Sequence, residues 1–137
     1  MTSLTRREAD IFRCFADTVV APGAPSIRES DAVAFLDDWL GHSPALNRIG
    51  IRAMLYAVEL APLATGAGAR LRRLPAEQRR AVLERIDATS LTGALEALRS
   101  VAQLAYYGDD AVMRDLGYDA DAVAARAHAL RVAEARW

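Results

Sequence analysis

The sequence predicts an all-α fold, a single compact domain of six to seven helices packed around two buried central helices. Apolar residues recur at steps of three and four through most of the chain, which is the period of an amphipathic helix. Proline, glycine and capping residues separate these segments, and no segment alternates apolar and polar residues as a half-buried strand does. The 137 residues, of which 53% are apolar, suffice for one hydrophobic core. We therefore expect residues 1–137 to form one domain.

The first helix is predicted from about Thr5 to Val20. Pro22, Gly23 and Pro25 follow it and should end it, because proline restricts the residue before it and cannot continue the helical hydrogen bonds. One face of this helix carries Leu4, Glu8, Ile11, Phe12, Phe15 and Val19.

The second helix is predicted to start at a cap, Ser30 or Asp31, and to end near Gly41. Its apolar positions form two stripes, one of Val33, Leu36 and Leu40 and the other of Phe35 and Trp39.

The third helix is predicted to begin at Ser43 and Pro44, an N-cap and first-turn pair. Between Leu46 and Leu63 it carries charges at only three positions, Arg48, Arg52 and Glu59. A helix with so few charges belongs in the middle of a domain.

Pro75 is predicted to begin a fourth helix, which turns Val82, Leu83 and Ile86 inward. Thr89 or Ser90 starts the fifth helix, whose broad apolar face makes it the second central helix. That face consists of Leu91, Leu95, Leu98, Val101, Ala102 and Ala105.

Two further helices close the chain. A short one follows Tyr107 and Gly108 and reaches Leu116, and an alanine-rich one follows Gly117 and continues to about Glu134. In the last helix we expect Val123, Ala127 and Leu130 to face the core.

The charge pattern excludes several classes of partner. The net charge is −1, so no overall positive field attracts a polyanion, and we expect no nucleic-acid partner. No stretch of 18 uncharged apolar residues occurs, so we expect no membrane insertion. Arg6 and Arg7 precede charged residues rather than the apolar stretch of an export signal. We predict a cytoplasmic protein that leaves the cytoplasm only if a partner carries it.

The reactive side chains are scattered along the chain. Neither His42 nor His128 has a metal ligand at the four-residue spacing of helical metal sites, so we expect no metal site. Cys14 has no Cys or His nearby and is expected to act as a small hydrophobe. Asp109 and Asp110 fit a helix cap and first turn better than an acid/base pair. We thus expect no catalytic, metal-binding or cofactor-binding residues.

One cluster of basic residues occurs, but acidic residues dilute it and no aromatic residues interleave with it for base stacking. A solvated face or the rim of a partner-docking surface fits this pattern better than a nucleic-acid site. The cluster consists of Arg70, Arg72, Arg73, Arg79 and Arg80.

Four short segments carry a family resemblance, at Leu4 to Glu8, Ala16 to Pro22, Tyr106 to Asp109 and Leu116 to Asp119. They read Leu-Thr-x-x-Glu, Ala-Asp-Thr-Val-Val-x-Pro, Tyr-Tyr-Gly-Asp and Leu-Gly-Tyr-Asp. These segments resemble the gluconate 2-dehydrogenase subunit 3 family, the small subunits of bacterial flavin-dependent dehydrogenases. They are also similar to the N-terminal module of long-chain alcohol oxidases of the glucose-methanol-choline class.

The resemblance implies a non-catalytic small subunit that binds a large FAD-dependent alcohol or sugar oxidoreductase. It would support the folding, stability or assembly of that enzyme. On this interpretation the chain is not an enzyme on its own and holds no cofactor, and the FAD belongs to the partner subunit.

The predicted partner interface lies in the resembling segment near the C-terminus, because aromatic anchors are enriched at interfaces. An equal alternative is that the tyrosines only pack the hinge between helices. A second functional reading is a small helical enzyme or ligand-binding domain with a cavity between the third and fifth helices, and a third is a regulator. The predicted interface residues are Tyr106, Tyr107, Asp109, Tyr118 and Asp119.

Overall fold

A computed structural model of the chain describes residues 3–20, 31–89 and 91–134. These residues form seven α-helices and one 3-10 helix and contain no strand, which confirms the all-α prediction. The predicted loop at Pro22, Gly23 and Pro25, and the candidate caps Ser30 and Ser90, lie outside the described residues. The elements are α1 (Arg6–Val19), α2 (Ala32–His42), α3 (Ala45–Ala64), a 3-10 helix (Leu71–Arg73), α4 (Ala76–Asp87), α5 (Thr92–Tyr107), α6 (Asp110–Asp115) and α7 (Ala120–Ala133).

The hydrophobic core lies between α1, α2, α3, α4 and α5. Phe12 and Phe15 of α1 and Leu98 of α5 are fully buried in it, together with Leu36 of α2 and Leu55 of α3. Helices α3 and α5 contact each other, as their apolar faces predict, and α1 contacts both of them as well as α2 and α4. The predicted inward residues of α4 and most of the predicted face of α5 are buried.

The start of α1 is fixed by a capping box. The Thr5 amide donates to Glu8 Oε2 at 2.7 Å, and the Glu8 amide donates back to Thr5 Oγ1 at 3.3 Å. Glu8 itself is buried, and its Oε1 lies 3.4 Å from Nε of Arg52 on α3. Asp37 of α2 accepts the amide of Leu4 at 2.6 Å. Side chains of three helices therefore hold the first turn in place.

The 3-10 helix ties α3 to the rest of the domain. Its Leu71 is fully buried, although the sequence around it reads as an arginine-rich stretch. The adjacent Arg72 donates its amide and its Nε to the carboxylate of Glu59, at 3.2 and 3.0 Å. Glu59 is only 1% exposed, so this ion pair is buried on the carboxylate side.

Two predicted helix starts are displaced in the structure. The predicted N-cap Ser43 instead ends α2, and its hydroxyl donates to the carbonyl of Trp39 at 2.7 Å, while Pro44 occupies the N-cap position of α3. Helix α5 begins at Thr92 rather than at Thr89. The Thr89 hydroxyl donates to the carbonyl of Ile86 at 2.6 Å, so it closes the end of α4 instead.

Candidate partner-binding surface

The two adjacent tyrosines at the end of α5 have different environments. Tyr106 is 0% exposed and belongs to the core, so its side chain is not part of the surface predicted for a partner. Tyr107 is half-buried, and its ring packs edge-on against that of Tyr106, with centroids 5.0 Å apart. The hinge-packing alternative therefore describes Tyr106, while Tyr107 lies at the boundary between core and surface.

Asp109 joins the starts of two helices. Its Oδ1 accepts the amides of Ala111 and Val112 at 2.8 and 3.2 Å, which is the predicted N-cap of α6. Its Oδ2 accepts the amide of Asp31, just before α2, at 2.7 Å. This bond from Asp31 is the main cause that lowers the pKa of the Asp109 carboxyl, and the two capping bonds add to it. Asp109 thus links the start of α2 to the first turn of α6.

Tyr118 stands at a tight turn between α6 and α7. Gly117 has a φ of 78°, and the amides of Gly117 and Tyr118 donate to the carbonyls of Arg114 and Met113 at 2.9 and 2.8 Å. This pattern is a Schellman motif, whose left-handed residue favours glycine. It leaves the Tyr118 side chain 43% exposed. The next residue, Asp119, caps α7 by accepting the amide of Ala122 at 3.0 Å.

A cleft of about 740 Å³ lies between the end of α5, α6 and the start of α7. We call it the C-terminal cleft. It brings together three of the five predicted interface residues, Tyr107, Tyr118 and Asp119. Three carboxylates and one guanidinium line it, so it is acidic. These charged residues are Asp110, Asp119, Asp121 and Arg114.

A smaller cleft of about 320 Å³ continues this surface toward α2. The two clefts share Gly108, and the smaller one is lined by Asp109 and by Phe35, an aromatic side chain that is 41% exposed. The aromatic residues Phe35, Tyr107 and Tyr118 therefore border one connected surface. Sequence reasoning missed Phe35, because its place on α2 was assigned only to a second apolar stripe.

Helix α7 differs from its prediction. None of its residues is buried, and Val123 and Leu130, predicted to face the core, are 48% and 53% exposed. Of the predicted inward residues only Ala127 is half-buried. The helix lies beyond the Gly117 turn, so its apolar residues do not reach the core formed by α1 to α5.

Helix α3 also has an uncovered side. Its buried residues face α1, α5 and the 3-10 helix, but Leu46 and Ile49 are 79% and 64% exposed, and Leu60 and Leu63 are exposed as well. The low charge of this helix predicted a position in the middle of the domain. Only one of its faces is covered by the described residues.

His42 and Cys14 do not line the C-terminal cleft. Nδ1 of His42 lies 3.6 Å from Oδ1 of Asp38, four residues earlier. The sequence analysis missed this neighbouring carboxylate. Both side chains are largely exposed, and the described residues contain no group of three or more His, Cys, Asp or Glu that could hold a metal ion. Cys14 is half-buried against the core, and burial raises the pKa of its thiol.

The basic cluster divides into two kinds of residue. Arg72 pairs with the buried Glu59, and its Nη1 lies 3.8 Å from Oδ2 of Asp10. Arg79 is half-buried and its Nη2 donates to the carbonyl of Arg72 at 3.5 Å, whereas Arg70, Arg73 and Arg80 are exposed. The cluster therefore combines one structural ion pair with a solvated face.

No described helix has the length and apolar character needed to cross a membrane.

Comparisons of the chain with models of protein families, with curated proteins and with solved structures gave no match.

Proposed function

We propose that this chain is a non-catalytic small subunit that binds a large FAD-dependent oxidoreductase of the glucose-methanol-choline type. Its role would be to support the folding, stability or assembly of that enzyme. The proposal starts from the resemblance of four segments to the gluconate 2-dehydrogenase subunit 3 family. Two of those segments, at Tyr106 to Asp109 and Leu116 to Asp119, border the C-terminal cleft.

The observation that supports the proposal most strongly is that no residue of α7 is buried. A helix of 14 residues is marginal in water on its own, and helices in proteins gain most of their stability from packing an apolar face. Helix α7 has no buried residue, and its exposed Val123 and Leu130 lie seven residues apart, which is two turns of one helix face. A partner that covers this face would supply the missing packing.

The C-terminal cleft beside α7 supplies anchoring groups for such a partner. Tyr118 is half-exposed on a turn whose backbone is hydrogen-bonded in a Schellman motif. Tyr107 and Phe35 lie along the same surface. Aromatic side chains are enriched at protein interfaces, and tyrosine is enriched among their hot spots.

On this proposal the partner owns the flavin and the redox chemistry, and the chain contributes surface rather than reacting groups. The acidic cleft favours a partner surface with basic residues at its rim, since complementary charges steer association. Neither nucleic acid nor a membrane takes part. On this proposal the complex is assembled in the cytoplasm.

The test is purification of the tagged chain from its native host, followed by absorbance spectroscopy and mass spectrometry of the eluate. The proposal predicts a yellow eluate in which one large flavoprotein accompanies the chain in a fixed ratio. The chain expressed alone in another host should be colourless. A tightly bound flavin or metal in the isolated chain, or the absence of any flavoprotein from the native eluate, would contradict the proposal.

A further inference from the structure

We propose that the uncovered face of α3 binds a second copy of this chain, with the two α3 helices antiparallel about a two-fold axis. We call this surface the α3 apolar face; it consists of Leu46, Ile49, Ala53, Tyr56, Leu60 and Leu63. The inference is independent of the proposed function, because it uses a different helix from the C-terminal cleft and α7.

The α3 apolar face is continuous and carries no charge. Its members follow each other at steps of three, four, three, four and three residues, the spacing with which a helix pairs with another helix along a straight seam. Five of the six residues are exposed and Tyr56 is half-buried. Gly50, beside the face, has no atom within 4 Å of a Cβ placed on it, so nothing in the described chain covers this part of the helix.

None of the three charged residues of α3, Arg48, Arg52 and Glu59, is a member of this face. Arg52 is directed at Glu8 of α1 and at the carbonyl of Ser3. Glu59 is buried against Arg72. The closest charged neighbour of the face that the contacts identify is Arg7, whose guanidinium lies 5.5 Å from the centre of the Tyr56 ring, at one edge. A partner for this face therefore needs no complementary charges, which is the condition that a second copy meets.

In an antiparallel pairing of two copies, the side chains of this face have complementary sizes. In a two-fold pairing residue i contacts residue j, and residue j of the first copy contacts residue i of the second. An axis between positions 54 and 55 places Leu46 opposite Leu63 and Ile49 opposite Leu60. The central layers then set the small Ala53 opposite the large Tyr56. Each layer combines side chains that fill the space between two helices without two large central residues colliding.

The available area suits a weak dimer. Helix α3 has 20 residues and is about 30 Å long and 10–12 Å wide with its side chains. At about 30 Å² per exposed carbon, the four large aliphatic side chains alone expose roughly 300 Å² of apolar surface. With Ala53, Tyr56 and the side chains that flank the face, two such faces bury roughly 800–1,000 Å² in total, at the lower limit for a specific interface. We therefore expect a dissociation constant on the order of 10–100 μM.

The test is sedimentation velocity of the purified full chain over a concentration series that spans this range. The wild-type chain should convert from monomer to dimer. Ala53→Glu places two like charges near the axis and should weaken the dimer at least about tenfold. Ala53→Arg should do the same. A mixture of the two variants should dimerise again, because the axis brings position 53 of one copy close to position 53 of the other.

Ala81→Glu is the matched control, since Ala81 is exposed on α4 and makes no part of the α3 apolar face. This variant should dimerise like the wild type, and all variants should keep the wild-type melting temperature at low concentration. A wild-type chain that stays monomeric up to about 1 mM, roughly ten times the weakest expected dissociation constant, would overturn the proposal. A dimer that Ala53→Glu leaves intact would overturn it too. If the wild type captures the flavoprotein and Ala53→Glu does not, the face binds the flavoprotein instead. That result would also overturn the proposed dimer.

Discussion

Replacing Arg72 with methionine should strongly destabilise the domain, because it leaves the carboxylate of Glu59 buried without its ion-pair partner. Glu59 is 1% exposed and accepts Nε of Arg72 at 3.0 Å. The backbone amide of residue 72 remains as one donor, at 3.2 Å. One hydrogen bond does not offset the cost of an isolated buried charge.

The magnitude follows from the geometry of the pair. Removing one partner of a buried ion pair typically costs about 3–5 kcal/mol. The Arg72 side chain is 28% exposed, so water reaches part of the vacated space, and we expect the lower end, about 3 kcal/mol. For a domain of this size the melting temperature falls by roughly 3–4 °C per kcal/mol, or about 10 °C.

The assay is chemical and thermal denaturation of Arg72→Met beside Arg73→Met. Arg73 is the matched control, because it lies in the same 3-10 helix and its side chain is exposed. It should change the free energy of unfolding by less than about 0.5 kcal/mol. Adding Glu59→Gln to Arg72→Met should recover part of the lost stability, since it removes the buried charge.

Two results would show that Arg72 does not stabilise the buried carboxylate of Glu59. The first is an Arg72→Met variant with the same melting temperature as Arg73→Met. The second is a further loss of stability when Glu59→Gln is added, which would mean that the carboxylate is solvated without Arg72.

Three further predictions concern the core, the Asp109 junction and α7. Leu98→Ala should cost about 2–5 kcal/mol in a denaturant melt, because Leu98 is fully buried in α5, while the exposed Arg80→Ala should leave the midpoint unchanged. Asp109 has a pKa below its usual value of 3.8, so its contribution to stability is complete above about that pH and is lost as the pH falls through the lower, folded-state pKa. Asp109→Asn should therefore be less stable than the wild type at neutral pH, and the difference should shrink below pH 3.8; a difference that stays constant with pH would contradict the hydrogen-bonded carboxylate. Val123→Asp and Leu130→Asp should each shift the free energy of unfolding of the isolated chain by less than about 0.5 kcal/mol, and a large loss in either would place α7 against the core.

The elements that depend on local periodicity were predictable from the sequence. Leu95 and Leu98 of α5 and Val82 and Ile86 of α4 are buried where their three- and four-residue spacing places them. The cap at Asp109 was also predictable, because a carboxylate after a glycine and before a helical segment has one common structural role.

What a helix packs against was not predictable from its own residues. Val123 and Leu130 have the spacing of an inward face, but the turn at Gly117 directs α7 away from the core, and a hydrophobic stripe does not say which surface covers it. The same holds for the outer face of α3. Glu59 of that helix is buried and Arg52 pairs with Glu8, but Leu46 and Ile49 on its outer side are uncovered.

The polar contacts between distant segments were missed for a related reason. Asp37 binds the amide of Leu4, and Asp109 binds the amide of Asp31, across separations of 33 and 78 residues. No local pattern marks such pairs. For the same reason the sequence grouped Tyr106 with Tyr107, although one belongs to the core and the other borders the surface.

We propose that the C-terminal cleft and α7 bind a flavoprotein partner, and this proposal depends on the affinity of the Tyr118→Ala variant for that flavoprotein. Trp39→Ala is the control, because it removes an aromatic side chain of similar exposure, 38% against 43%, that lines neither cleft. Binding is measured with the purified flavoprotein, and the melting temperature of each free variant is measured in parallel. Tyr118→Ala should lose about 2 kcal/mol of binding free energy, roughly thirtyfold in affinity, at an unchanged melting temperature. Wild-type affinity in Tyr118→Ala, or a loss that only follows a lowered melting temperature, would contradict it.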